Sequence, residues 1–247
     1  MEYEKYENLR EKVLGRGLVV AIDGPSGSGK STIARKVAAA LDLGYLDTGA
    51  MYRATAWWVD HRGLDVSRPE ELAVAMAKMD LKVTAVAHNP RFFVDGLDVG
   101  HVIRGEHIDS IVSGVAAVPA VRAVLIALQQ RVIREARNST RGIVVEGRDI
   151  TTVVAPQAPV RILLTADPEI RLLRRALQDT GHDGAEALER ERALVLGRDM
   201  KDAKVNEFMQ AAPGVHLVDS TSLDLEQTLD AVMSLIDQNT DWDRPGN

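Results

Sequence analysis

The sequence predicts an α/β fold: a parallel sheet with helices on both faces, plus an inserted lobe carrying a small antiparallel sheet. Three observations predict it. Short β-rich apolar runs alternate with stretches of helical spacing, the pattern of β-α units around a parallel sheet. Within the first unit, between strand and helix, lies Gly24-Pro25-Ser26-Gly27-Ser28-Gly29-Lys30-Ser31. That string matches G-x-x-x-x-G-K-[ST], so the fold is of the P-loop NTPase type. Between residues 81 and 99 the alternation gives way to three short β-like runs, with Asp95-Gly96 as a hairpin signal.

The elements follow in chain order. Residues 1–16 are charged, show no strong apolar face and read as a solvated N-terminal extension. The main domain is expected over residues 17–237. Leu18 to Ile22 is its first strand, and Ser31 to Leu43 the helix after the glycines. Gly44-Tyr45-Leu46 is a second strand, and Asp47-Thr48-Gly49 opens a helix through Trp57 and Trp58. The inserted lobe is placed at about 78–110, with strands at 81–86, 91–94 and 97–99. Helical sequence broken by Pro119 runs from Ile108 to about Arg137. Gly142 to Glu146 and Val160 to Thr165 are apolar runs fit for buried parallel strands, and a helix over 167–177 carries Arg171, Arg174 and Arg175. Residues 178–207 are charged and broken by Gly181 and Gly184, which marks them as the segment expected to be most mobile. A last strand at 215–218 and a last helix at 225–236 precede a polar tail, 238–247.

Bulk composition excludes several classes of function. The chain has 247 residues, 45% hydrophobic, enough for one large domain with inserted lobes. A net charge of −6 argues against a general nucleic-acid surface. With no cysteine there is no disulfide framework and no thiolate metal site. No apolar run approaches the ~18–20 residues of a membrane span. The charged N-terminus lacks a signal-peptide pattern, so the expectation is a cytoplasmic protein without membrane or nucleic-acid partners. No separate amphipathic interface helix is evident, so a monomer is expected.

The glycine-rich loop points to a nucleoside triphosphate. Glycines let successive backbone N–H groups converge on a phosphate, Lys30 can reach the β/γ-phosphates, and the Ser31 hydroxyl can ligate Mg²⁺. The loop alone does not choose between a switch, a motor and a kinase. The guanine-reading [NT]-K-x-D string is missing, since Ala77-Lys78-Met79-Asp80 lacks its first residue. Arginines instead gather at the ends of elements: Arg53, Arg122, Arg148, Arg171, Arg174, Arg175 and Arg198. Guanidinium groups suit the joining of two polyanions, as a small-molecule kinase must do. Arg53 and Arg148 sit just after loops that follow predicted strands, where ligands bind in open α/β sheets. Asp23 either orients a metal shell through water or simply ends its strand.

Four strings, in order, carry a family resemblance. They are Ile22 to Thr32, Leu46-Asp47-Thr48-Gly49-Ala50-Met51-Tyr52-Arg53, Val115-Ala116-Ala117-Val118-Pro119-Ala120-Val121-Arg122, and Glu146-Gly147-Arg148-Asp149. Together they resemble the bacterial cytidylate kinases, nucleoside monophosphate kinases acting on CMP and dCMP. The resemblance spans about residues 18–236, and the island at 81–99 resembles the extra sheet of that family's acceptor lobe.

The resemblance implies a reaction, ATP with CMP or dCMP giving ADP with CDP or dCDP, and roles by position. Gly24, Pro25, Ser26, Gly27, Ser28, Gly29, Lys30, Ser31 and Thr32 would hold the donor phosphates, with Mg²⁺ on Ser31. Arg174 would support the ATP site. Thr48 and Arg53 would meet the acceptor nucleotide, Ser113 and Arg122 would read the cytosine edge, and Arg148 would bind acceptor phosphate. Asp149 would accept from the cytosine amino group. Arg198 and Asp202, in the lid, would handle the transferring phosphate and the ribose; Lys30, Arg148, Arg198 and Asp202 form the implied catalytic set. After Asp202 the family usually shows Ser-x-Arg, whereas this chain has Ala203-Lys204-Val205. The competing readings are a kinase for another small acceptor, such as UMP or a sugar acid, and a nucleotide-dependent switch.

Overall fold

A computed structural model describes residues 3–180 and 210–239, together with Gly184 and Arg192. The expected lid beyond residue 180, with Arg198 and Asp202, and the tail from residue 240 lie outside the described residues.

Parallel strands that are buried on both faces read as continuous apolar runs, and the central strands here do so. Strand β1 (Val19–Asp23) is wholly buried and central in a five-stranded sheet. It pairs in parallel with β6 (Ile143–Gly147) on one side and β7 (Val160–Thr165) on the other. Beyond these lie β2 (Gly44–Asp47) and β8 (His216–Asp219), giving the order β2-β6-β1-β7-β8. Alternation along β1 divides the interior in two. Val19 and Ala21 face one core; Val20 and Ile22 face the other.

The first core is built with α3 (Thr48–His61), α4 (Pro69–Met76), α5 (Glu106–Ala116) and α6 (Pro119–Asn138). Pro119 starts α6 at its first turn, where a missing N–H costs nothing, and the chain bends by 98° between α5 and α6. Three antiparallel strands extend this side: β3 (Leu81–Val83), β4 (Phe92–Val94) and β5 (Leu97–Asp98). Their hairpin turns on Asp95 (φ +50°) and Gly96 (φ +82°), the pair of positive φ values a tight hairpin needs. The Asp95 carboxylate accepts from Asp80 N–H at 3.1 Å, Trp58 Nε1 at 2.7 Å and Arg62 at 2.8 Å, pinning the hairpin to α3. These strands are shorter than the sequence suggested, and α4, with Pro69, Glu70 and Glu71 as its start signals, was not anticipated.

The second core joins α2 (Lys30–Ala40), α8 (Leu225–Gln238) and α1 (Glu7–Val13). Here the expectation of a solvated N-terminal extension is overturned. Tyr6, Leu9 and Val13 are buried, and Lys5, Tyr6 and Lys12 bond to the carboxylates of Glu226, Asp230 and Asp237 along α8. The spacing of the three apolar residues is helical, but the charged residues between them mask it in the sequence. Helix α7 (Pro168–Thr180) completes the described architecture. Among the described residues, no single helix is long and apolar enough to cross a membrane.

Candidate active site

The C-terminal ends of β1, β2 and β6 point into one cleft of about 890 Å³. In open α/β sheets this is where ligands bind. The loop after β1 forms its floor. Gly29, at φ +86°, caps the start of α2, and Gly27, at φ +76°, lies so near α7 that a Cβ would stand 2.4 Å from the Arg171 carbonyl. Only glycine fits both demands there. Arg171 is buried and props the loop from below, donating from Nη1 to the Ser26 carbonyl at 3.0 Å and from Nε to that of Ala166 at 3.2 Å. The Ser28 hydroxyl is buried in the loop wall with no hydrogen-bond partner among the described residues.

A carboxylate lies beside the loop. Ser31 Oγ donates to Glu146 Oε2 at 2.8 Å, and Tyr45 donates from its hydroxyl to Oε1 at 2.6 Å. Burial, then the charge of Asp47, pushes the Glu146 carboxyl above the usual carboxylate range, while Lys30 opposes the shift. Among the described residues no three His, Cys, Asp or Glu side chains group to hold a metal. Ser31 and Glu146 nonetheless supply hard oxygen atoms of the kind Mg²⁺ takes together with substrate phosphates.

Past β6 the chain turns sharply. Asp23 takes a role the sequence did not suggest: its carboxylate accepts from Ile150 N–H at 2.9 Å, Thr151 N–H at 2.8 Å and Thr151 Oγ1 at 2.6 Å. It fastens a π-helical turn, Ile150–Val154, and so fixes the residues just before it. Burial pushes the Asp23 carboxyl up, against these bonds. Arg148 donates from Nη1 to the Gly24 carbonyl, and Asp149 accepts from Arg122 Nη2 at 2.6 Å. Thr48 Oγ1 donates to the Glu146 carbonyl at 2.7 Å, so α3 starts against the same strand end. Arg53, one turn on, donates to the Ile103 carbonyl and to Asp109. Opposite, Arg174 donates to the Ser220 hydroxyl at 2.9 Å and carbonyl at 2.8 Å.

The model of the cytidylate kinase family matches residues 20–238. The chain belongs to the cytidylate kinase family. A protein named cytidylate kinase in Streptomyces griseus subsp. griseus is 44% identical over 222 residues, 89% of this chain and 93% of that one. One of the same name in Cutibacterium acnes is 44% identical, covering 89% and 96%, and one in Streptomyces avermitilis 41%, covering 90% and 93%. As a member of that family the chain is a phosphotransferase, passing the γ-phosphoryl group of ATP to CMP or dCMP.

The fold brings most of the sequence-derived candidates together. Ser26 to Thr32, Thr48, Arg53, Ser113, Arg122, Arg148, Asp149 and Arg174 all line the cleft. Gly24 and Pro25 stand behind it, their carbonyls accepting from Arg148 and Lys30. Arg198 and Asp202 lie outside the described residues. Sequence reasoning passed over Glu146, Tyr52, Arg104 and Arg35, which also line the cleft. A carboxylate closing an apolar strand beside the P-loop strand was the available signal for Glu146.

Proposed function

We propose that donor and acceptor meet end to end in this cleft. The donor phosphates lie on the loop from Gly27 to Thr32, with Lys30 as a point charge and the buried Ser28 hydroxyl and α2 N-terminus as donors. Ser31 and Glu146 would hold Mg²⁺, which would supply positive charge to phosphate oxygens on which charge gathers. The acceptor lies between α3, α5, α6 and the turn after β6. There Arg53 and Arg148 clamp its phosphate, Thr48 contacts the nucleotide, and Ser113, Arg122 and Asp149 read the base. Arg174 supports the ATP side. Arg198 and Asp202 join this scheme by their place in the sequence alone. The residues work by holding two polyanions in line and meeting their charge, so no nucleophilic side chain is needed. A cytoplasmic, monomeric enzyme for small nucleotides fits the acidic, cysteine-free chain.

The observation that carries this reading is the Arg122–Asp149 pair in the same arginine-lined cleft as the P-loop. A carboxylate accepts where cytosine N4 donates; uracil offers O4 there and meets repulsion. Leaving such buried groups unpaired discriminates strongly, so CMP and dCMP are expected to exceed UMP by ~10²-fold or more in kcat/KM. The experiment is initial-rate phosphorylation of CMP, dCMP, UMP and AMP, with Arg53→Ala and Arg148→Ala beside the parent. Both variants are expected to raise KM for CMP far more than for ATP. Equal use of CMP and UMP overturns the base-reading assignment. Loss of ATP use with normal CMP use exchanges the two sites.

A further inference from the structure

The Arg122–Asp149 pair raises a problem that a neighbouring side chain answers. Asp149 is buried and its Oδ2 is held by Arg122. If both groups turn to a base, the bond between them must be shared or opened. A carboxylate so placed needs another donor to hold its direction.

Tyr52 stands on α3 one turn after Thr48 and lines the same cleft as Arg122 and Asp149. Its hydroxyl is shut off from solvent and has no hydrogen-bond partner among the described residues. Burial raises the hydroxyl's pKa, Asp149 raises it further, and Arg122 opposes. The group therefore stays protonated, and it feels the charges of this pair. A sealed hydroxyl with nothing to donate to is unfavourable. Such an orphan next to a functional pair is a donor waiting for its acceptor.

We propose that Tyr52 is a positioning residue: when an acceptor nucleotide binds, its hydroxyl donates to the Asp149 carboxylate as Arg122 turns to the base. The inference rests on the reading of Arg122 and Asp149 as the base-reading pair. Tyr52 touches neither the phosphates nor the sugar. It acts by fixing the carboxylate that selects the cytosine amino group.

The test is a double-mutant cycle on Tyr52→Phe and Asp149→Asn, read by KM for CMP, dCMP and ATP and by thermal unfolding. Tyr52→Phe is expected to raise KM for CMP and dCMP alike by about five- to tenfold, with the ATP value within about twofold. It should not lower Tm, because it removes an unsatisfied buried group rather than a bond. In the Asp149→Asn background the effect should fall to about two- to threefold, since an amide oxygen still accepts but the charge that strengthens the bond is gone. A full effect persisting in that background overturns the proposal, as does an effect on CMP but not dCMP, which would assign the hydroxyl to the ribose. A loss of several degrees in Tm also overturns it, by revealing a bond in the free protein. If Asp149→Asn weakens CMP use and Tyr52→Phe does not, this inference fails and the base pocket stands. If Asp149→Asn leaves CMP use intact, the base pocket itself fails and the inference with it.

Discussion

Among single residues, those that were legible sit in contiguous strings. The P-loop and Glu146-Gly147-Arg148-Asp149 announce themselves because their backbone and side-chain needs are local. Glu146 was quoted within such a string, yet its own role was hidden. The bond from Ser31 spans 115 positions, and only the pairing of β6 beside β1 brings the two together. In the sequence Glu146 merely ends an apolar run. In the fold it is a buried carboxylate held by Tyr45 and shared with the P-loop serine. Glu146→Gln keeps an oxygen to accept from Tyr45 and removes the charge. It is expected to weaken Mg²⁺-dependent binding of an ATP analogue by ~10–100-fold, the usual cost of losing a group that orients a metal. Titration of a fluorescent ATP analogue with Mg²⁺ checks this without turnover. Unchanged Mg²⁺ affinity would remove Glu146 from the metal site.

Among elements, the sequence was most legible where periodicity was strong and least where charge masked it. The parallel strands and the helix break at Pro119 follow from local pattern and from the proline's missing N–H. The N-terminal segment misled because Glu, Lys and Arg outnumber its apolar residues, and their partners on α8 lie more than two hundred positions away. Helix α1 shares a core with α8, and the start of α8, Leu225 and Thr228, lines the cleft near Arg174. Leu9→Ala is therefore expected to cost ~2–4 kcal/mol, as for a buried leucine, and to lower Tm by roughly 5–10 °C. KM for CMP should stay unchanged, because the acceptor side is built on the other core. The docking also depends on pH. Bonds from Lys5 and Tyr6 hold the Asp230 carboxyl below its usual range. Its contribution is present above the unfolded pKa of ~3.9 and is lost as pH falls through the lowered folded value. Thermal scans of Leu9→Ala and the parent across that range measure both effects. A variant as stable as the parent would return the segment to a solvated tail.

At the scale of the whole molecule, two opposed charge distributions coexist. The chain carries −6 overall, yet seven arginines and Lys30 face four carboxylates across the described cleft. Alternation in the sequence foretold the parallel sheet, but not the strand order that folds distant arginines into one wall. An acidic exterior with a basic cleft admits a small polyanion and disfavours a long one, because a duplex would lay most of its phosphates on acidic surface. Several cleft arginines are already tied to protein acceptors, Arg53 to Asp109 and Arg122 to Asp149. Their net attraction must therefore act through the summed field rather than through unpaired charges. That field is open to screening. Raising KCl from ~0.05 M to ~0.5 M shortens the Debye length about threefold, to ~4 Å, well below the reach of the cleft. KM for CMP and for ATP is expected to rise together by ~3–10-fold, with kcat changed less than ~2-fold, because charges in contact are screened far less than charges at a distance. Duplex DNA at matched phosphate concentration should not inhibit. A KM insensitive to salt would mean that Asp109, Asp149 and their neighbours cancel the arginines completely. Recognition would then rest on short-range hydrogen bonds alone, and the arginine wall would serve orientation rather than capture.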